Sequence, residues 1–156
     1  MFMTLAASAV LLAISMVRQM APGSKPVFAP AVLLVAIPIA LTIVIAATFR
    51  SQPEPAFLSS GVRCMENGLM LSIPGAFLLW IILRRGAILY PKLMGAVAGG
   101  LAGLIGLSVL EVNCPNTNVF HILIWHCSVV SISSLVGALV GAVVEYVELS
   151  RHETMY

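Results

Sequence analysis

Five long apolar runs dominate the chain, separated by short stretches that hold nearly all of its charges and most of its prolines. The runs are Met1–Val17, Val27–Phe49, Asn67–Leu83, Leu93–Leu110 and Val119–Val144. A helix rising about 1.5 Å per residue needs about 20 residues to cross a hydrocarbon core of ~30 Å. The second and fifth runs meet that length, while the first and third, at 17 residues each, sit at its lower limit. The pattern predicts an all-α fold, a polytopic transmembrane helix bundle of about five spans forming a single membrane domain over 1–156. The opening segment has no basic stretch before its apolar run and no small-x-small cleavage site ahead of a polar sequence. It therefore reads as a membrane segment rather than a signal peptide.

Composition agrees with this. Of the 156 residues 60% are hydrophobic and 9% are charged, against roughly 25% charged in a soluble domain. Lipid is the expected solvent and partner. A net charge of +2, scattered along the chain, gives no surface for nucleic acid.

Charge also orients the spans. The loop Arg84–Lys92 carries three positive charges and no acid, whereas 112–118 carries none. With the basic loop in the cytoplasm of a bacterial cell, Arg18, Lys25 and Arg151 lie there too, so six of eight basic residues are inside. Arg50 and Arg63 are then outside, and the C-terminus is cytoplasmic. Five spans place Met1 outside, an arrangement for which a further span upstream is one natural cause.

Gly95, Gly99 and Gly103 recur every four residues and form a smooth stripe along the fourth run, repeated in shorter form by Gly137 and Gly141. Such stripes let helix backbones approach closely in lipid, so static helix packing is the expected role. Pro74-Gly75 is expected to kink the third helix.

Little in the sequence supports catalysis. Aspartate is absent, the six glutamates all lie outside the apolar runs, with Glu111 bordering closely on one, and no phosphate-binding loop, HExxH or GxSxG occurs. No enzymatic activity and no cofactor are expected. Chemistry is left to the cysteines. The topology returns Cys64 and Cys114 to the same outer face, the periplasm, where disulfides persist. The pair reads as a structural disulfide, as a redox- or metal-responsive thiol pair, or as two unrelated residues. Cys127, inside the fifth run, reads as a packing residue. His121 and His126, five residues apart, turn about 500° on a regular α-helix and point in different directions. A metal site from Cys64, Cys114 and His121 is nevertheless conceivable, since thiolates favour Zn, Cu(I) and similar ions.

Several motifs occur in a distinctive order. Arg63-Cys64-Met65 opens a span that contains Pro74 and ends in Leu83-Arg84-Arg85-Gly86-Ala87. Pro91, the glycine-rich helix and Asn113-Cys114-Pro115 follow, then Phe120, Trp125-His126, Gly137 and Gly141. This order resembles the NrsF-type family of bacterial membrane anti-sigma factors, most closely from Cys64 to Glu145. The resemblance implies a six-span inner-membrane protein without enzymatic activity. Its cytoplasmic N-terminal segment would hold an extracytoplasmic-function sigma factor inactive, and the cysteine pair matched by Cys64 and Cys114 would sense metal or oxidant stress. The pattern also implies a span and a cytoplasmic segment ahead of Met1. A misassigned start, a trimmed chain or a natural loss would each account for their absence from this sequence. Two rival readings remain: a structural membrane protein stapled by its cysteines, and a small metal-handling transporter using His121 and the thiols.

Overall fold

The computed structural model describes residues 1–20, 29–86 and 90–153, with side chains described as far as 150. Lys25, the start of the second run at Val27, part of the Arg84–Lys92 loop and the Arg151 side chain lie outside the described residues.

The chain forms α1 (Phe2–Met20), α2 (Pro30–Thr48), α3 (Phe57–Leu83) and α4 (Pro91–Asn113). The last helical stretch has three parts. A single turn, α5 (Val119–His121), leads into a π-helical segment (Ile122–His126) and then into α6 (Cys127–Glu153). Five of these stretches are long and apolar enough to cross a membrane, and no strand occurs among the described residues. Proline opens both α2 and α4, where its missing N–H costs nothing and its fixed φ suits the first helical turn.

Helix α3 begins ten residues before the apolar run that marks it, because hydropathy records the lipid boundary and not the start of the helix. Pro53 and Pro55 lie in the preceding loop, and no further proline follows until Pro74, well inside the helix. The polar first turns carry Arg63, Cys64 and Glu66 out of the apolar zone. The helix then runs unbroken through Pro74.

Helix α4 is the centre of the bundle. It is buried along most of its length, including Ala96, Val97, Ala98, Gly99 and Ala102, and it packs against α6, α3 and α1. Its contact with α6 is the closest in the fold. A Cβ added at Gly95 would strike the carbonyl oxygen of Gly137, and one at Gly137 would strike that of Gly95. Gly99 and Gly103 face Ser133 and Val130 of α6 in the same way. Ser134 Oγ donates to the Ala96 carbonyl at 2.9 Å, and Ser72 and Ser133 hydroxyls lie 3.5 Å apart, so polar contacts join the helices where the backbones meet.

Many bulky apolar side chains face outward. Val35, Ile39 and Ile43 of α2, Met70 and Phe77 of α3, and Leu135 and Leu139 of α6 are all exposed. With Leu, Ile and Met also filling the core, this leaves apolar side chains on both sides of the helices, and a contiguous apolar surface this wide is rare on a protein surrounded by water.

The two ends differ. Met20 at the end of α1 meets Gly86 after α3 at one end. At the other, the loops 49–56 and 114–118 are stitched together. Val119 N donates to the Arg50 carbonyl at 3.2 Å and Asn118 Nδ2 to that of Gln52 at 2.8 Å.

Candidate metal centre

At this stitched end, four side chains from three helical stretches converge. Cys64 projects from the second turn of α3, and Cys114 caps α4 in an extended conformation, its N–H donating to the Leu110 carbonyl at 2.7 Å. His121 closes α5 and His126 closes the π segment. Their ligand atoms all lie within 4.8 Å of one another. The Cys64 and Cys114 sulfurs are 3.4 Å apart as free thiols, and His121 Nε2 is 3.9 Å from the Cys114 sulfur. The thiols are half-buried, and both histidines are fully buried.

The placement of His126 corrects the expectation from a regular helix. On an α-helix His121 and His126 would diverge, but here their ring centroids stand 5.4 Å apart. The cause is the π segment between them, where the ladder runs i→i+5. Such a turn takes up more residues than an α turn, so residues five apart return closer to the same face. The spacing His-x4-His in a π turn thus does what His-x3-His does on an α-helix.

A second set of residues orients both rings. His121 Nδ1 lies 3.0 Å from Glu54 Oε1, and His126 Nδ1 lies 3.3 Å from Glu111 Oε1. With each Nδ1–H given to a carboxylate, each Nε2 keeps its lone pair, the form in which imidazole binds a metal. Nε2 of His121 faces the Cys114 sulfur. Nε2 of His126 is buried and has no hydrogen-bond partner among the described residues.

Glu54 is itself held. Burial raises its pKa, but the Ser60 hydroxyl, the nearby His121 and the Asn116 amide outweigh that and keep the carboxyl below its ordinary value. Asn116 Nδ2 donates to Glu54 Oε1 at 2.6 Å. Asn118 fixes the entry to the last helix, its Oδ1 accepting from Phe120 N at 3.1 Å as an N-cap. Phe57 closes the side of the site, edge-on to His121 at 6.4 Å and against Trp125 at 5.8 Å.

Two thiols and two imidazoles are the donor set of closed tetrahedral zinc-type sites, in which Zn–S is about 2.3 Å and Zn–N about 2.0–2.1 Å. Donors at those lengths stand roughly 3.3–3.8 Å apart, so this group needs only a modest contraction. Cys127 stands outside the group and packs against the apolar core. Glu54, Glu111 and Asn116 are the site residues that the sequence did not assign. The position of Glu111 at the end of an apolar run was a visible signal, though one that Glu66 and Glu145 share.

No curated protein and no solved structure matches the chain. A family model does: that for NrsF, negative regulator of sigma F, matches residues 1–144, and the chain belongs to the NrsF family.

Proposed function

We propose that this protein is a membrane-embedded negative regulator of an extracytoplasmic-function sigma factor, and that its Cys64–Cys114 pair reads metal or oxidant stress outside the cytoplasm. Family membership supports the regulatory half of this reading. The single observation that carries the sensing half is the 3.4 Å approach of two free thiols from residues fifty positions apart. At that distance the pair can share one metal ion or be oxidised together.

Five apolar helices with an apolar exterior support the membrane setting. The bias of basic residues toward the Arg84–Lys92 end supports an orientation with that end in the cytoplasm and the thiols in the periplasm of the inner membrane. The signal then has a direct route inward. Cys64 belongs to α3, Cys114 caps α4, and His121 and His126 precede α6, so any change at the site pulls on all three helices. These are the helices that α4 joins most closely.

Sigma-dependent transcription in cells tests the reading. Cells carrying the wild-type protein are expected to keep the reporter low and to raise it on exposure to cadmium or an oxidant. Cys64→Ser and Cys114→Ser should still insert and should each remove the response. A response that survives both substitutions would rule the thiol pair out as the sensor.

A further inference from the structure

We infer that Cys64, Cys114, His121 and His126 form one four-coordinate site for a divalent d10 cation such as Zn2+ or Cd2+, with both imidazoles binding through Nε2. This rests on the thiol pair being the responsive centre, and it names what that centre binds and with which atoms.

The first support is convergence. Four donors of soft and borderline type gather within 4.8 Å, although they come from α3, the cap of α4 and the π-containing entry to α6. The second is independent of the thiols. His126 is 1% exposed, and its Nε2 is a buried polar atom with no partner among the described residues. Burial of such an atom is costly without a bond. The third is the paired carboxylates. Histidines that bind metal almost always give their other nitrogen to a carboxylate, carbonyl or water, and Nδ1 of each ring here lies within 3.3 Å of a carboxylate oxygen.

Donor number and charge set the class of ion. Four donors in a closed group suit a tetrahedral ion without geometric demands of its own, and thiolates disfavour Mg2+ and Ca2+. Binding forms two metal–sulfur and two metal–nitrogen bonds and releases the two thiol protons to solvent. A divalent ion therefore adds no net charge beside Glu54 and Glu111, whereas Cu(I) would leave one further negative charge there. The π segment acquires a purpose in this scheme, since it brings His126 round to the thiols.

The test uses the full-length protein in detergent, reduced and stripped of metal, with Co2+ as the optical probe and Zn2+ as competitor. One Co2+ per chain is expected, with the thiolate charge-transfer and ligand-field bands of a tetrahedral S2N2 site, and Zn2+ should displace it. His126→Asn should weaken Zn2+ binding and change the ligand-field bands. Glu111→Gln keeps all four ligands, so it should keep the S2N2 bands while lowering affinity by about 10–100-fold. Helical circular dichroism and a single gel-filtration peak establish that each variant is folded. Wild-type affinity and bands in both His121→Asn and His126→Asn would overturn the site, as would the absence of tetrahedral bands in the wild type. The two readings fail separately. Metal binding by all four donors with a reporter indifferent to Cys64→Ser would refute sensing and leave the site. Loss of the response in Cys64→Ser with no four-donor binding would refute the site and leave a thiol pair that reads oxidants.

Discussion

Asn118 occupies a position where one amide does three things. Its oxygen caps the entry to the last helix through Phe120 N, and its Nδ2 reaches the Gln52 carbonyl at 2.8 Å and Glu54 Oε2 at 3.4 Å. The side chain is buried, so these bonds are not replaced by water when it is removed. Asn118→Ala loses the cap, worth about 1 kcal/mol, and leaves the Gln52 carbonyl short of a donor. A loss on the order of 2 kcal/mol is expected from the two effects together, measured as unfolding of the purified protein in detergent. Asn118→Ser keeps a capping oxygen and should lose less. Because His121 follows three residues later and shares Glu54 with this network, Asn118→Ala should also weaken metal binding. An unchanged metal affinity would mean that the loop does not position the ring.

At the scale of elements, the glycines and the π turn show what sequence can and cannot carry. The recurrence of Gly95, Gly99 and Gly103 marks a close helix contact whatever the partner, because only a face without side chains admits another backbone. That the partner is α6, entering through Gly137 and Ser133, needs the fold. The close contact has a sharp consequence. Gly137→Ala drives a methyl into a backbone carbonyl that cannot move aside and should cost about 1–3 kcal/mol as an overpacked contact. Gly100→Ala, on the same helix as Gly95, meets nothing nearer than 3.8 Å and should be tolerated. Thermal unfolding of the two variants side by side separates a specific backbone contact from a general dislike of larger residues.

The apolar runs likewise revealed the helices, because lipid imposes its length on them. They did not reveal the first turns of α3, whose polar residues reach beyond the apolar zone yet remain helical. The π segment was invisible for a different reason. Ile122-Leu-Ile-Trp-His126 has no residue type that distinguishes an i→i+5 turn from an α turn, and on regular helix geometry it turned His126 away from the site. Three of the four donors, Cys64, Cys114 and His121, were therefore legible as a conceivable metal site. His126 depended on one local departure from α geometry, and the carboxylates that orient the two rings, Glu54 and Glu111, come from other segments of the chain.

For the whole molecule, the bundle is built around α4, with glycines where its backbone meets those of α6 and α3 and large apolar residues both in the core and on the exterior. The candidate site lies at one end of that bundle and the basic loop at the other. Lipid offers no hydrophobic drive toward a single helix arrangement, so packing and a few polar contacts hold α3, α4 and α6 in register. A metal ion that ties the ends of these three helices together is well placed to bias that register. The helices are long enough to carry the bias to the far side of the membrane.

The most direct measurement of this scheme is the amount of sigma factor that co-purifies with the full-length protein from membranes, before and after exposure to Cd2+. The scheme requires the sigma factor to be retained without metal and released with it, and requires Cys64→Ser and His126→Asn to retain it in both conditions. Release by Cd2+ that is undiminished in both variants, or no retention at all in the absence of metal, would contradict it.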